Sequence, residues 1–223
     1  MQHRVLKVVP RPVGRPPLAE AADVRRALLG AAAVMLGEVD INDFSLRECA
    51  RRAGVSHGAP AHHFLGKTGL LTELAAESFD ALGRAIDRRL MKASDDPADR
   101  FRAAATAYID YAVHNKARFQ LMYRAEVIDQ QSPRLRGAFE ACYRRIYGTM
   151  STLLGSGTRR LDERTVARFA MAWSGIHGFA ILALDGDFGS FGEFKEREPG
   201  HGTRHILTLA ADVIDEIVVT LSR

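Results

Sequence analysis

The stretch 44–54, "FSLRECARRAG", limits what this chain can fold into more than any other. Ser45 precedes Glu48 by three residues, the spacing of a capping box. In that arrangement the serine hydroxyl accepts from the amide of Glu48, and the glutamate reaches back to the amide of Ser45. Leu46, Cys49 and Ala50 then face inward along one side of a helix. Gly54 suits the left-handed turn that ends it. Ser56 offers an N-cap for a second short helix running to about Phe64. Upstream, Val24, Leu28, Ala31 and Met35 recur at i, i+4, i+7 and i+11, and Gly37 ends that first helix. Two short helices joined by a tight Ala-Gly-Val turn make a helix-turn-helix.

The second short helix holds His57, His62 and His63. They are poorly spaced for a metal. His57 and His62 are five residues apart, and His62 and His63 point about 100° away from each other on a helix. No Cys, Asp or Glu in this helix completes a ligand set. The segment also lacks a nucleophile and base at helical spacing. What remains is a solvated surface helix or a recognition helix. Small residues at Gly58, Ala59 and Ala61, read as exposed, would let the backbone approach a groove wall. The imidazoles can donate to phosphates or base edges.

Charge separates this region from the rest. Up to Leu71 there are ten Lys/Arg and six Asp/Glu, and from Thr72 onward twenty-one of each. The net charge of +4 therefore sits in the first third, as expected of a head that binds a polyanion. Cys49 and Cys142 lie far apart, which fits a reducing, cytoplasmic setting. The basic N-terminus lacks the apolar core of a signal peptide, and no membrane partner is expected.

Lys67 begins the next helix, where a cation opposes the helix dipole. A phosphate docked at that N-terminus would explain it. With it, residues 44–71, "FSLRECARRAGVSHGAPAHHFLGKTGLL", resemble the DNA-binding head of the TetR family of transcriptional regulators. Shorter stretches, "ARFQLMYR" at 117–124 and "AWSGIHGFAIL" at 172–182, resemble a TetR C-terminal subfamily with a Trp…His-Gly signature. The resemblance implies a homodimer, mostly a repressor, with an all-helical C-terminal domain that binds a ligand. It implies DNA contacts at Ser45, Arg47, Ser56, His57, Gly58, His62, His63 and Lys67. Arg47 and His57 are assigned to base edges and the others to the backbone. For His63, packing beneath the helix stays open as an alternative.

The chain departs from the family pattern in places. Ala59, Pro60 and Ala61 stand where threonine, leucine and tyrosine are usual, so a phosphate contact from that tyrosine does not carry over. Pro60 lacks an amide and belongs in a first helical turn, so the helix is expected to start late or be irregular. Thr68 replaces an acid, and Gly69 weakens the first turn of the next helix. Residues 10–17, "PRPVGRPP", form a proline-rich arm. Arg11 and Arg15 in it either enter a narrow minor groove or belong to a disordered tail.

The body reads as helices with limits near 70–93, 97–115, 117–129, 132–155, 160–185 and 201–221. The expected fold is all-α, with an arm at 1–19, a three-helix head at 20–71 and a helical ligand-binding and dimerisation domain at 72–223. Ile206, Leu209, Val213, Ile217 and Val218 form a stripe on the last helix, open to reading as core or, with the resemblance, as a dimer interface. Trp173, His177 and Gly178 are placed with that interface, although a structural role for His177 competes. Phe101, Tyr108, Phe119, Met122, Tyr123, Phe139, Tyr143, Met150 and Met171 are candidate walls of an apolar pocket.

The expected function is a sequence-specific DNA-binding regulator, released from a palindromic operator by a small apolar effector. Control by a protein partner is the alternative. An enzyme is remote, because no convergent acid, base and nucleophile spacing occurs, and neither cofactor nor metal is expected.

Overall fold

The computed structural model describes residues 18–156, 162–186 and 202–222. Arg11 and Arg15 lie outside them, as does most of the glycine-rich loop before the last helix. Helices α1 (Leu18–Met35), α2 (Leu46–Arg52) and α3 (Ala59–His63) form the head, with a 3-10 turn at Ile41–Asp43. Helix α4 (Gly66–Leu90) leads into α5 (Pro97–His114), α6 (Lys116–Met122), α7 (Pro133–Leu153), α8 (Glu163–Asp185) and α9 (Gly202–Leu221). The described residues contain no strand, and the fold is all-α.

Local chemistry sets many of the boundaries. Asp96 accepts from the amide of Asp99 at 3.0 Å, and Pro97 fills the first helical position of α5. Ser132 and Pro133 repeat that pattern at α7. Asp162 caps α8 by accepting from Thr165 at 2.8 Å. Gly186, at φ 78°, closes α8 in the left-handed conformation.

The helix expected over 117–129 ends at Met122. The chain then turns back, because Thr72 on α4 offers it a better backbone partner. The Thr72 hydroxyl donates to the carbonyl of Thr68 at 2.7 Å and accepts from the amide of Asp129 at 2.8 Å. Asp129 in turn accepts from the amide of Gln131 at 2.9 Å, a local turn that competes with helix.

Helix α4 packs on α1 and α3 in the head and on α5, α6 and α7 in the body. On α9 the fully inward residues are Ala210, Ile214, Val218 and Leu221. Of the expected stripe, Ile206, Leu209, Val213 and Ile217 are only half-buried beside them. Ile217 is committed within the chain: its Cδ1 lies 3.0 Å from where a Cβ on Gly175 would stand. A larger residue at 175 would push the end of the Ile217 side chain aside.

Trp173 and His177 bear on a second expectation. Both are half-buried, and their rings pack against Tyr108, with centroids 5.4 Å and 6.2 Å from its own. Gly178 has open space at its Cβ direction. It shares a stripe with Met171 and Leu182, both exposed large apolar residues. Helix α8 is long and apolar enough to cross a membrane by length and composition, yet one of its faces packs on α5 and α9.

Replacing Thr72 by valine keeps the side-chain shape but strands the amide of Asp129. We expect a loss of about 1–3 kcal/mol in chemical denaturation. Amide exchange at residue 129 should accelerate with it; unchanged exchange there would mean that the loop is held by other contacts.

Candidate nucleic-acid interface and ligand cleft

In the head, Ser45 caps α2, its hydroxyl accepting from Glu48 at 3.4 Å. The second half of the expected capping box is replaced. Glu48 does not reach back to Ser45; its carboxylate takes two bonds from Arg51 at 2.7 Å and one from Arg52 at 2.8 Å. Two guanidiniums outcompete one neutral amide for a carboxylate, and they hold Glu48 down at about 2. Arg52 also pairs with Glu38. Arg51 and Arg52 are thus engaged, whereas Arg47 is exposed and makes no ion pair among the described residues.

The turn into α3 differs from the expectation for Ser56. Gly58, not Ser56, occupies the N-cap position, and no side chain caps the helix. The Ser56 carbonyl instead accepts from the amide of Ala59 at 3.0 Å. Pro60, at the second helical position, removes one of the orphan amides that a cap would serve. Helix α3 is correspondingly short, at five residues. Ala59 is buried with Pro60 and Phe64, contrary to its expected exposure. Ser56, His57, Gly58, Ala61 and His62 are exposed, and His63 is half-buried. The His62 ring leans over Gly58, its Nε2 3.9 Å from where a Cβ would stand. Cys49 faces the head's core, with its thiol pushed up to about 11 by burial.

Lys67 is used within the head. Its ammonium donates to the carbonyl of Ile41 at 2.6 Å and stands 5.7 Å from the centre of the Phe44 ring. It thereby ties the 3-10 turn to α4. Two exposed neighbours were not among the assigned contacts. Leu65, in the α3–α4 turn, is 93% exposed, and Thr68 is exposed on the first turn of α4. An apolar residue placed just after the buried Phe64 was the available signal. Gly69 fits closely under this turn, since a Cβ there would meet that of Leu65 at 3.1 Å.

Arg25 links the head to the body. It donates to the carbonyl of His63 at 3.2 Å, lies over the Phe64 ring at 4.6 Å and pairs with Glu73 at 2.6 Å. Glu73 also meets Arg134 of α7 at 3.3 Å, and Arg134 reaches Asp80 at 2.5 Å. One carboxylate on α4 therefore joins the C-terminal end of α3 to the start of α7.

Beside that junction is a cleft of 590 Å³, within the range that holds small molecules. Phe79, Met122, Tyr123, Ile128, Leu135 and Phe139 form its apolar walls, and Gln130, Gln131, Arg136 and Glu140 add polar groups. Of the expected pocket residues, Met122, Tyr123 and Phe139 line it. Tyr108, Phe119 and Tyr143 form the layer behind Tyr123, with the ring of Phe119 5.3 Å from that of Tyr123. Phe101 and Met150 are buried core away from these walls, and Met171 is on the outer face of α8. Phe79 and Leu135 were missed because their spacing is that of ordinary core.

Two family profiles match the chain: "Bacterial regulatory proteins, tetR family" over residues 28–74, and "Tetracyclin repressor-like, C-terminal domain" over residues 101–198. The chain belongs to the TetR family of DNA-binding transcriptional regulators. It is 28% identical over 180 residues to the HTH-type transcriptional regulator BetI of Serratia proteamaculans, spanning 75% of this chain and 91% of that protein. A Rhodococcus protein of unknown function superposes with a TM-score of 0.70 at 25% identity, covering 96% of this chain and 100% of that one. The TetR-like regulator LfrR of Mycobacterium smegmatis, solved in complex with proflavine, superposes with a TM-score of 0.55 at 20% identity, over 90% and 95% of the two chains. These similarities point to a regulator and not to an enzyme.

Replacing Lys67 by alanine removes the tie to Ile41. A loss of about 1 kcal/mol in folding stability is expected in denaturant, with faster amide exchange over residues 41–44. Full retention of both would show that the 3-10 turn stands without the lysine.

Proposed function

We propose that this regulator binds a two-fold symmetric DNA site as a homodimer, most simply as a repressor, and that a small ligand in the cleft weakens that binding. The observation that supports it best is the exposed set on either side of α3, with Arg47 left unpaired while its neighbours are engaged. Arg47 and His57 are assigned to base edges. Ser45, Ser56, Gly58, His62, His63 and Lys67 are assigned to the phosphate backbone. The Lys67 ammonium carries three N–H groups, so its bond to Ile41 leaves donors for a phosphate.

Arg47→Ala should relax base preference at one position in each half-site, at a cost of about 1–3 kcal/mol per contact. The comparison uses sites selected from a random duplex pool with the unaltered protein. Equal enrichment of all four bases by both proteins would remove Arg47 from base readout.

The dimer reading rests on α8. Met171, Gly178 and Leu182 place an apolar and small stripe on its outer face, the kind of surface that a symmetric partner covers. The half-buried Ile206, Leu209 and Val213 on α9 continue it in this reading. Leu182→Glu together with Met171→Glu should produce monomers by light scattering, with folding intact by circular dichroism. An unaltered protein that is monomeric at micromolar concentration would defeat the assignment. Ile217 is a poor probe, because it already packs on Gly175.

Control by a ligand requires tighter binding to the DNA-free arrangement. A tenfold loss of DNA affinity corresponds to about 1.4 kcal/mol of coupling, and operator DNA must weaken the ligand by the same factor. Apolar walls with a polar rim suit a small, largely apolar molecule. LfrR, of similar fold, is solved in complex with proflavine, which supports reading the cleft as a ligand site. A molecule there would sit against the loop that Thr72 holds through Asp129 and against the start of α7, where Arg134 pairs with Glu73.

A further inference from the structure

Trp173 and His177 of α8 have no part in the function described so far, yet the histidine is connected to the cleft wall. His177 Nδ1 lies 2.7 Å from the Tyr108 hydroxyl, and that hydroxyl lies 2.8 Å from the hydroxyl of Tyr123. Tyr123 lines the cleft. Trp173, one turn before His177, stacks on the imidazole with ring planes 10° apart and centroids at 5.3 Å. Tyr108 is fully buried on α5, so a three-member hydrogen-bonded chain runs from α8 through the core to a wall of the cleft.

We propose that His177, through Tyr108, sets whether the Tyr123 hydroxyl acts as hydrogen-bond donor or acceptor, and so selects the polarity of the group that the cleft accepts. When Nδ1 is bare, Tyr108 donates to it. Tyr108 must then accept the proton of Tyr123, which leaves only a lone pair on Tyr123 for another partner. When Nδ1 carries a proton it donates to Tyr108. The Tyr108 proton turns to Tyr123, and the Tyr123 proton is released for Tyr143 or for an occupant of the cleft. The reversal moves no heavy atom; each hydroxyl rotates, and the one added proton resides on His177. An occupant with an acceptor such as a carbonyl or carboxylate is favoured by the protonated chain, and one with a hydroxyl or amine donor by the bare one.

The surroundings leave His177 as the group that switches. Burial raises Tyr108 and Tyr123 well above their ordinary values and pushes Tyr143 up to about 12, so these phenols stay neutral. Burial pushes His177 below its ordinary value of 6.5. Facing this chain are Tyr108 on α5, Phe119 and Tyr123 on α6, Tyr143 with the buried Cys142 on α7, and Trp173 on α8. Lys116 of α6 reaches the Leu184 carbonyl, two turns beyond His177. From α9, Ile217 meets this stretch of α8, while Asp215 pairs with Arg102 at the surface.

The inference rests on the reading of the cleft as a ligand site, but its test uses the free protein, so the two can fail separately. Trp173 is the chain's only tryptophan, and a protonated imidazole quenches an indole stacked on it. Emission should fall as pH is lowered, with a midpoint below 6.5, and His177→Gln should abolish the step. The deciding variant is Tyr123→Phe, which leaves the stack and Tyr108 in place. In the protonated chain it strands the Tyr108 proton, whereas in the bare chain it strands only an acceptor lone pair. The midpoint should therefore move down by at least about 0.3 pH unit. The ¹⁵N shifts of His177, read on the unaltered protein, should show Nδ1 gaining its proton over the same range. A midpoint unmoved by Tyr123→Phe, or an Nδ1 already protonated above pH 8, would overturn the proposal, because either shows that the hydroxyls do not follow His177.

Discussion

Helix α4 is a single stretch of 25 residues whose inward face is shared by the head and the body. Leu70, Leu71 and Leu74 are fully buried early in the helix, and Leu82 and Ile86 are fully buried towards its end. A helix packed on both sides along its length moves as a rod, because close-packed interiors resist small deformations. The placement of α3 therefore depends on what α4 touches in the body. Three polar ties are made from this end of α4: Lys67 to the 3-10 turn within the head, Thr72 to the loop after α6, and Glu73 between Arg25 and Arg134. Two of the three face the cleft side. The proposed control by a small molecule then needs no long path, since the loop beside the cleft and the end of α3 are held by the adjacent residues Thr72 and Glu73.

How much was legible in the sequence follows from the range of each interaction. Ser45 and Gly54 act within three or four residues, and that is where pattern and structure meet most closely. Ser56 misled because its hydroxyl suits a cap, while Pro60 four residues later removed a donor and moved the helix start. Lys67 was only half legible, for the opposite reason. Its partner Ile41 lies 26 residues away, so spacing could not disclose that the ammonium is already engaged. Glu48 shows local competition, in which a capping role lost to two nearby guanidiniums.

The body was legible as helices but less so in its facing. Periodicity put Trp173 and His177 on one side of α8 without saying whether that side meets the core or another molecule. The same ambiguity placed Met171 in the pocket and omitted Phe79 and Leu135. Helix α6 ended early because the Asp129 amide found Thr72, a tertiary contact that no local pattern carries. Residues whose polar atoms pair across helices, such as Tyr108, Tyr123 and His177, became connected only once the packing was known.

The central claim is that α4 transmits between the head and the cleft as one body. Hydrogen exchange with and without a DNA site selected from a random pool tests it most directly. Bound DNA should slow exchange in residues 45–68, and should also change exchange in the loop 123–132, whose Asp129 amide is bonded to Thr72. Protection confined to the head, with exchange in 123–132 identical in both states, would contradict the account.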